Sequence, residues 1–165
     1  MLNNVRDAVI ARLTAAGLSA GAAWPHGAVP AAEGIVRVGV LRAENRSGGF
    51  GRYLGLRSDP VHGETEVYGL RCEMTLSLDI YVPLSEADAA GDCLDIFDTA
   101  ADCLGSGETE MQLRALRCGA PEPDRDSHMM HLRGEADGSA LLVLEGSAGE
   151  TAAFQDFVLR GELET

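Results

Sequence analysis

A chain of 165 residues with 45% apolar and 24% charged side chains has the balance of one globular domain, long enough to bury a core. Its net charge of −13 argues against unaided binding to nucleic acid, so no sequence-specific nucleic-acid partner is expected, and against an anionic membrane surface. All thirteen cationic side chains are Arg and Lys is absent, so a Walker-type phosphate loop lacks its Lys and no side-chain amine can form a Schiff base.

The chain opens with "MLNNVRDAVIARLTAAG". Leu2, Val5, Val9, Leu13 and Ala16 recur at helical steps, which predicts an amphipathic helix with Asn4 and Asp7 near its cap and Gly17 at its end. Arg6, Asp7 and Arg12 interrupt the apolar run that a signal peptide needs, and no run is long enough to span a membrane. An intracellular origin, with Cys72, Cys93, Cys103 and Cys118 as reduced thiols, is the expectation. A Gly-, Ala- and Pro-rich connection follows, then a strand over Ile35–Leu41. Residues 44–66 have loop character, unusually long for a compact domain unless they are functional or hold a short hairpin strand at Arg52–Leu56.

Residues Leu70 to Val82 alternate without a break. Leu70, Cys72, Met74, Leu76, Leu78, Ile80 and Val82 form one face of a strand, and Arg71, Glu73, Thr75, Ser77, Asp79 and Tyr81 the other. Ser85 is the expected N-cap of the next helix, with Asp88 as a capping-box partner, and the helix runs to about Leu104. Ala90, Cys93, Leu94, Phe97, Ala100, Ala101 and Leu104 share its apolar side, which should lie on the even-numbered strand face. Asp88, Asp92, Asp95, Asp98 and Asp102 gather opposite. Strands are then expected at Met111–Cys118, on either side of an Asp137–Gly138 hairpin turn, and in the closing "FQDFVLRGELE". This order implies a single α+β domain over residues 1–165, with a mainly antiparallel sheet and two principal helices on one face.

No catalytic pattern holds. "GLSAG" matches G-x-S-x-G, but a helix precedes Ser19 and a Pro-containing loop follows, the reverse of a nucleophile elbow. His128 and His131 are three apart, on opposite faces if both lie on a strand, and no nearby Cys or third His completes a metal set. No C-x-x-C occurs, and "GGFGRYLG" precedes no helix. A non-enzyme that needs no cofactor and no metal is the expectation.

Tyr53-Leu54-Gly55, Val67-Tyr68-Gly69, the strand ending in "LDIYVP" and the helix carrying Cys93 and Phe97 together resemble tail terminator, or tail completion, proteins of bacteriophages and prophages. The similarity covers Arg52 to Leu104 and the closing "FQDFVLRGEL". It implies an α+β subunit that assembles with itself into a ring, commonly a hexamer, on the head-proximal end of a tail tube. Its partners would be tube and head-tail connector proteins, and its location the cytoplasm during assembly and then the particle. The alternatives are another neck component, such as a head-tail connector, or a small α+β enzyme or ligand-binding protein. For a subunit interface, Asp92, Asp95, Asp98 and Asp102 are set against Arg46, Arg52 and Arg57 of the 44–66 segment.

Overall fold

The computed structural model describes residues 2–23, 34–47, 52–59, 63–106 and 111–144. The elements are α1 (Leu2–Ala15), β1 (Ala20–Ala22), β2 (Ile35–Ser47), β3 (Tyr53–Asp59), β4 (Gly63–Pro83), α2 (Ala89–Gly105), β5 (Gln112–Cys118), β6 (Glu122–Asp124) and β7 (Met129–Leu144). The fold class is α+β: two helices and a seven-stranded mixed sheet in the order β1-β2-β4-β7-β5, with β3 also paired to β4 and β6 to β7. β1 runs parallel to β2, whereas β3/β4, β5/β7 and β6/β7 are antiparallel. The described residues fall into two compact units. One holds the chain up to Arg46 and from Arg71 to Leu142. The other holds β3 and the first part of β4.

In the first unit, β4 supplies the floor of the core. Cys72, Met74, Leu76, Leu78, Ile80 and Val82 are all buried, as the period-two pattern requires. Leu132, Ala136 and Ala140 of β7 and Val36 and Val38 of β2 belong to the same apolar cluster. Both helices bury one stripe in it, Val5, Val9 and Leu13 from α1 and Ala89, Cys93, Phe97, Ala100 and Leu104 from α2. The helices are tied to each other as well, since Arg12 Nε donates to the Cys103 carbonyl at 2.7 Å and Cys103 Sγ to the Arg12 carbonyl at 3.4 Å. Burial pushes the Cys93 thiol up to about 11, so it serves as a small apolar residue rather than a nucleophile.

Several local expectations are corrected. Asp88, not Ser85, caps α2: its carboxylate accepts from the Gly91 N–H at 3.1 Å, and a carboxylate at a helix N-terminus is favoured by the exposed amides there. Leu94 is 43% exposed and takes no place in the packed stripe. Helix α1 already begins at Leu2, so Asn4 and Asp7 lie inside it rather than at its cap. Asp137 and Gly138 form no turn but lie within one continuous strand, β7. The 44–66 segment is largely strand: β2 extends to Ser47, and β3 forms a hairpin with a β4 that starts at Gly63. The expected C-terminal strand lies outside the described residues.

Candidate functional site

The sheet face away from the helices carries the chemistry of the first unit. It is built on the odd-numbered side chains of β4 and β7, which pair across the strands. Thr75 Oγ1 donates to Asp137 Oδ1 at 2.6 Å, and Arg71 Nη2 donates to Ser139 Oγ at 3.1 Å and to Gln112 Oε1 at 3.2 Å. Toward the other end of β4, His131 Nε2 lies 3.0 Å from Asp79 Oδ1, and its ring stacks on Tyr81 with centroids 4.4 Å apart. Burial, and secondarily the Asp79 charge, raise the Tyr81 phenol above its ordinary range, so it remains a neutral hydroxyl.

Irregularities in the two flanking strands concentrate Arg on this face. In β5 the register against β7 shifts between Leu113 and Ala115. In an unbroken strand Arg114 and Arg117, three apart, would point to opposite faces. The inserted residue puts both on the polar side, Arg114 Nη1 3.0 Å from Glu73 Oε1 and Arg117 paired with Asp137, while Leu113 and Leu116 pack toward the core. A comparable change of phase occurs in β2. Val36 and Val38 face the core, yet Arg42, Glu44 and Arg46 gather on the polar side, where Arg46 Nη1 is 3.6 Å from Glu73 Oε2. Val40 and Leu41, at the change of phase, are both exposed. Glu44 accepts from Arg46 and Arg42, and these contacts, Arg46 first, hold its carboxyl below the ordinary range. The result is a shallow trough of about 270 Å³ lined chiefly by Arg42, Glu44, Arg46, Glu73, Arg114 and Asp137. Each guanidinium has a carboxylate partner, but Arg42 and Arg117 keep 74% and 61% of their side-chain surface open, enough to engage a second anion.

Helix α2 presents the opposite chemistry. Asp92, Asp95, Asp98 and Asp102 are exposed, with no cation paired to any of them among the described residues. At three- and four-residue spacing such charges repel one another.

The structure therefore brings the four anticipated Asp residues onto one surface and places Arg46 in the trough. Arg52 and Arg57 belong to the second unit, Arg52 exposed with a φ of +67° before β3, and Arg57 within β3 opposite Thr65. Arg42, Arg114 and Arg117 were not anticipated as site residues, because strict alternation cannot bring them together. Ser19 is exposed, and its carbonyl accepts from the Val36 N–H beside β1, with no helix following. His128 lies in the turn after β6 and His131 on β7; among the described residues no group of three His, Cys, Asp or Glu is placed to hold a metal ion. In that turn Asp124 accepts from Ser127 Oγ at 2.7 Å and from the Asp126 N–H, which lowers its carboxyl below the ordinary range. No helix among the described residues is long and apolar enough to cross a membrane.

The fold and this face define the chain as an α+β protein with a charged, open sheet surface. Neither a family model nor a curated protein matches it.

Proposed function

We propose that this is a structural assembly protein of a phage or prophage tail, a terminator that closes the tail tube with a ring of its own copies. The observation that carries the reading is the pairing of its two Tyr motifs. Tyr53-Leu54-Gly55 and Val67-Tyr68-Gly69, 14 positions apart, face each other across the β3–β4 hairpin, with Tyr53 opposite Tyr68 and Gly55 opposite Val67. The two rings pack edge to face at 5.7 Å. Two of the motifs that carry the resemblance thus form one local contact. The α+β class and the alternating strand followed by a helix with Cys93 and Phe97 on its packed stripe are compatible with what the resemblance implies.

Deleting the gene from the particle that carries it tests this reading. The expected phenotype is tails of uncontrolled length, or tails that fail to join heads, with tube protein made normally. Fully assembled particles without it would overturn the assignment. A second reading, a small-ligand protein, is favoured by an apolar depression of about 660 Å³ lined by Pro83, Leu84, Ser85, Arg125, Ser127, His128 and Met129. A ligand screen by thermal shift addresses it.

A further inference from the structure

We propose that the Arg-bearing sheet face receives the acidic face of α2 from a second copy of this chain. The inference rests on the assembly reading above and adds the two surfaces that meet.

The first argument is charge. A protein of net charge −13 repels its own copies, and a contact that brings together patches of opposite sign offsets that repulsion. Helix α2 concentrates anions that no described cation neutralises. The trough on the other side of the sheet holds Arg42, Arg46 and Arg114 beside Glu44, Glu73 and Asp137, but the Arg42 and Arg46 side chains are 74% and 57% exposed against 43%, 29% and 28% for the three carboxylates, so its outermost charge is cationic. The two surfaces belong to the same compact unit and differ in position, so one copy can give its helix and take its neighbour's helix at once. Such a head-to-tail contact closes into rings or extends into filaments, whereas a self-complementary contact stops at a dimer.

The second argument is shape and apolar content. The sheet face is an open surface whose long side chains leave a trough rather than a ridge. On α2, Leu94 stands 43% exposed between the acidic residues and the packed stripe. It gives the helix face an apolar point of contact beside its charges, as specific interfaces combine apolar contact with a polar rim. The internal partners of the Arg side chains, Glu44, Glu73 and Asp137, hold them in place without covering them. An incoming carboxylate meets preset guanidinium groups and loses little entropy in doing so.

The test uses the full chain and two charge-reversed variants, Asp95→Arg/Asp98→Arg on the helix and Arg42→Glu/Arg114→Glu on the sheet face. All four positions are exposed, so both variants should keep the wild-type far-ultraviolet spectrum, and the sheet variant, which loses its pairs with Glu44 and Glu73, should melt somewhat earlier but cooperatively. Sedimentation velocity over a concentration series at low salt reads the association. The wild type is expected to associate, and to do so less well as salt rises. Each variant alone should associate at least about tenfold more weakly, and an equimolar mixture of the two should recover association, because the reversed helix now faces a reversed sheet. If the wild type associates and the variants associate equally well, this interface is wrong while the assembly reading stands. If the wild type stays monomeric at every concentration and also on isolated tail tubes, the assembly reading fails and the interface with it. Weakening in both variants without recovery in the mixture would show that each surface meets something other than its proposed counterpart, and would likewise overturn the interface.

Discussion

Truncation of Phe97 to alanine is expected to cost about 3–5 kcal/mol of folding stability, read from urea or guanidinium melts. Phe97 lies in the middle of the α2 stripe, and its ring covers Gly134 of β7. A methyl group built on Gly134 would sit 3.0 Å from Phe97 Cε2 and 3.1 Å from the Leu78 carbonyl oxygen. The missing side chain on β7 is thus the space the phenyl ring fills, between β4 and its neighbour. The converse substitution, Gly134→Val, overfills the same space. It should cost about 1–3 kcal/mol, because the Leu78 carbonyl belongs to the sheet backbone and cannot swing away. The two changes share one site, so their effects should not add. Gly134→Val in a Phe97→Ala background should be much less harmful than in the wild type. Equal cost in both backgrounds, or a loss below about 1 kcal/mol for Phe97→Ala, would mean that the ring does not pack there.

Gly138→Val is expected to detach β5 from the sheet. A Cβ at this position would lie 2.7 Å from the Gln112 carbonyl oxygen and 2.8 Å from Met111 Cγ, closer than side chains approach backbone. Met111 is buried in the core and Gln112 starts β5, so the strand has to move as a whole. Amide hydrogen exchange should show the Gln112–Cys118 amides losing protection while Leu76, Leu78 and Ile80 keep theirs. The chain should remain folded but lose the Arg114 and Arg117 contacts to Glu73 and Asp137. Unchanged protection along β5 would contradict the close approach.

The same dipeptide shows where the sequence stops being legible. Asp-Gly between apolar runs is a strong hairpin signal, because both residues tolerate the turn backbone. In this chain each is used for something else. Asp137 takes hydrogen bonds from Thr75 and Arg117 across the sheet, and Gly138 lets β5 approach. Neither use is local, so neither leaves a trace in the neighbouring residues. By contrast the β4 alternation and the α1 stripe are local periodicities, and burial follows both. Helix α2 was legible in part. The packed arc is centred between Cys93, Phe97 and Ala100, and Leu94 lies about 100° from its middle at the helical step. Hydrophobicity alone draws the stripe too wide, and only the docked position of the helix shows which edge is left open.

The polar face was legible only along β4. Its carboxylates and Arg71 follow from alternation, whereas Arg42, Arg46, Arg114 and Arg117 reach the same face because β2 and β5 each change phase. A bulge is set by pairing with a distant strand, which hydropathy in a single strand does not encode. The acidic face of α2 was legible at Asp92, Asp95, Asp98 and Asp102, since a helix fixes its faces without help from its partners, whereas Asp88, grouped with them by the helical step, caps the helix instead.

The most direct measurement of the central claim is the mass of the purified protein over a rising concentration series, with electron microscopy of the heaviest species. The account predicts a shift from monomer to one closed, ring-shaped species that forms more readily at low salt, and more readily still when tail tubes are present. A protein that remains monomeric throughout, or that stops at a two-fold symmetric dimer, would contradict it.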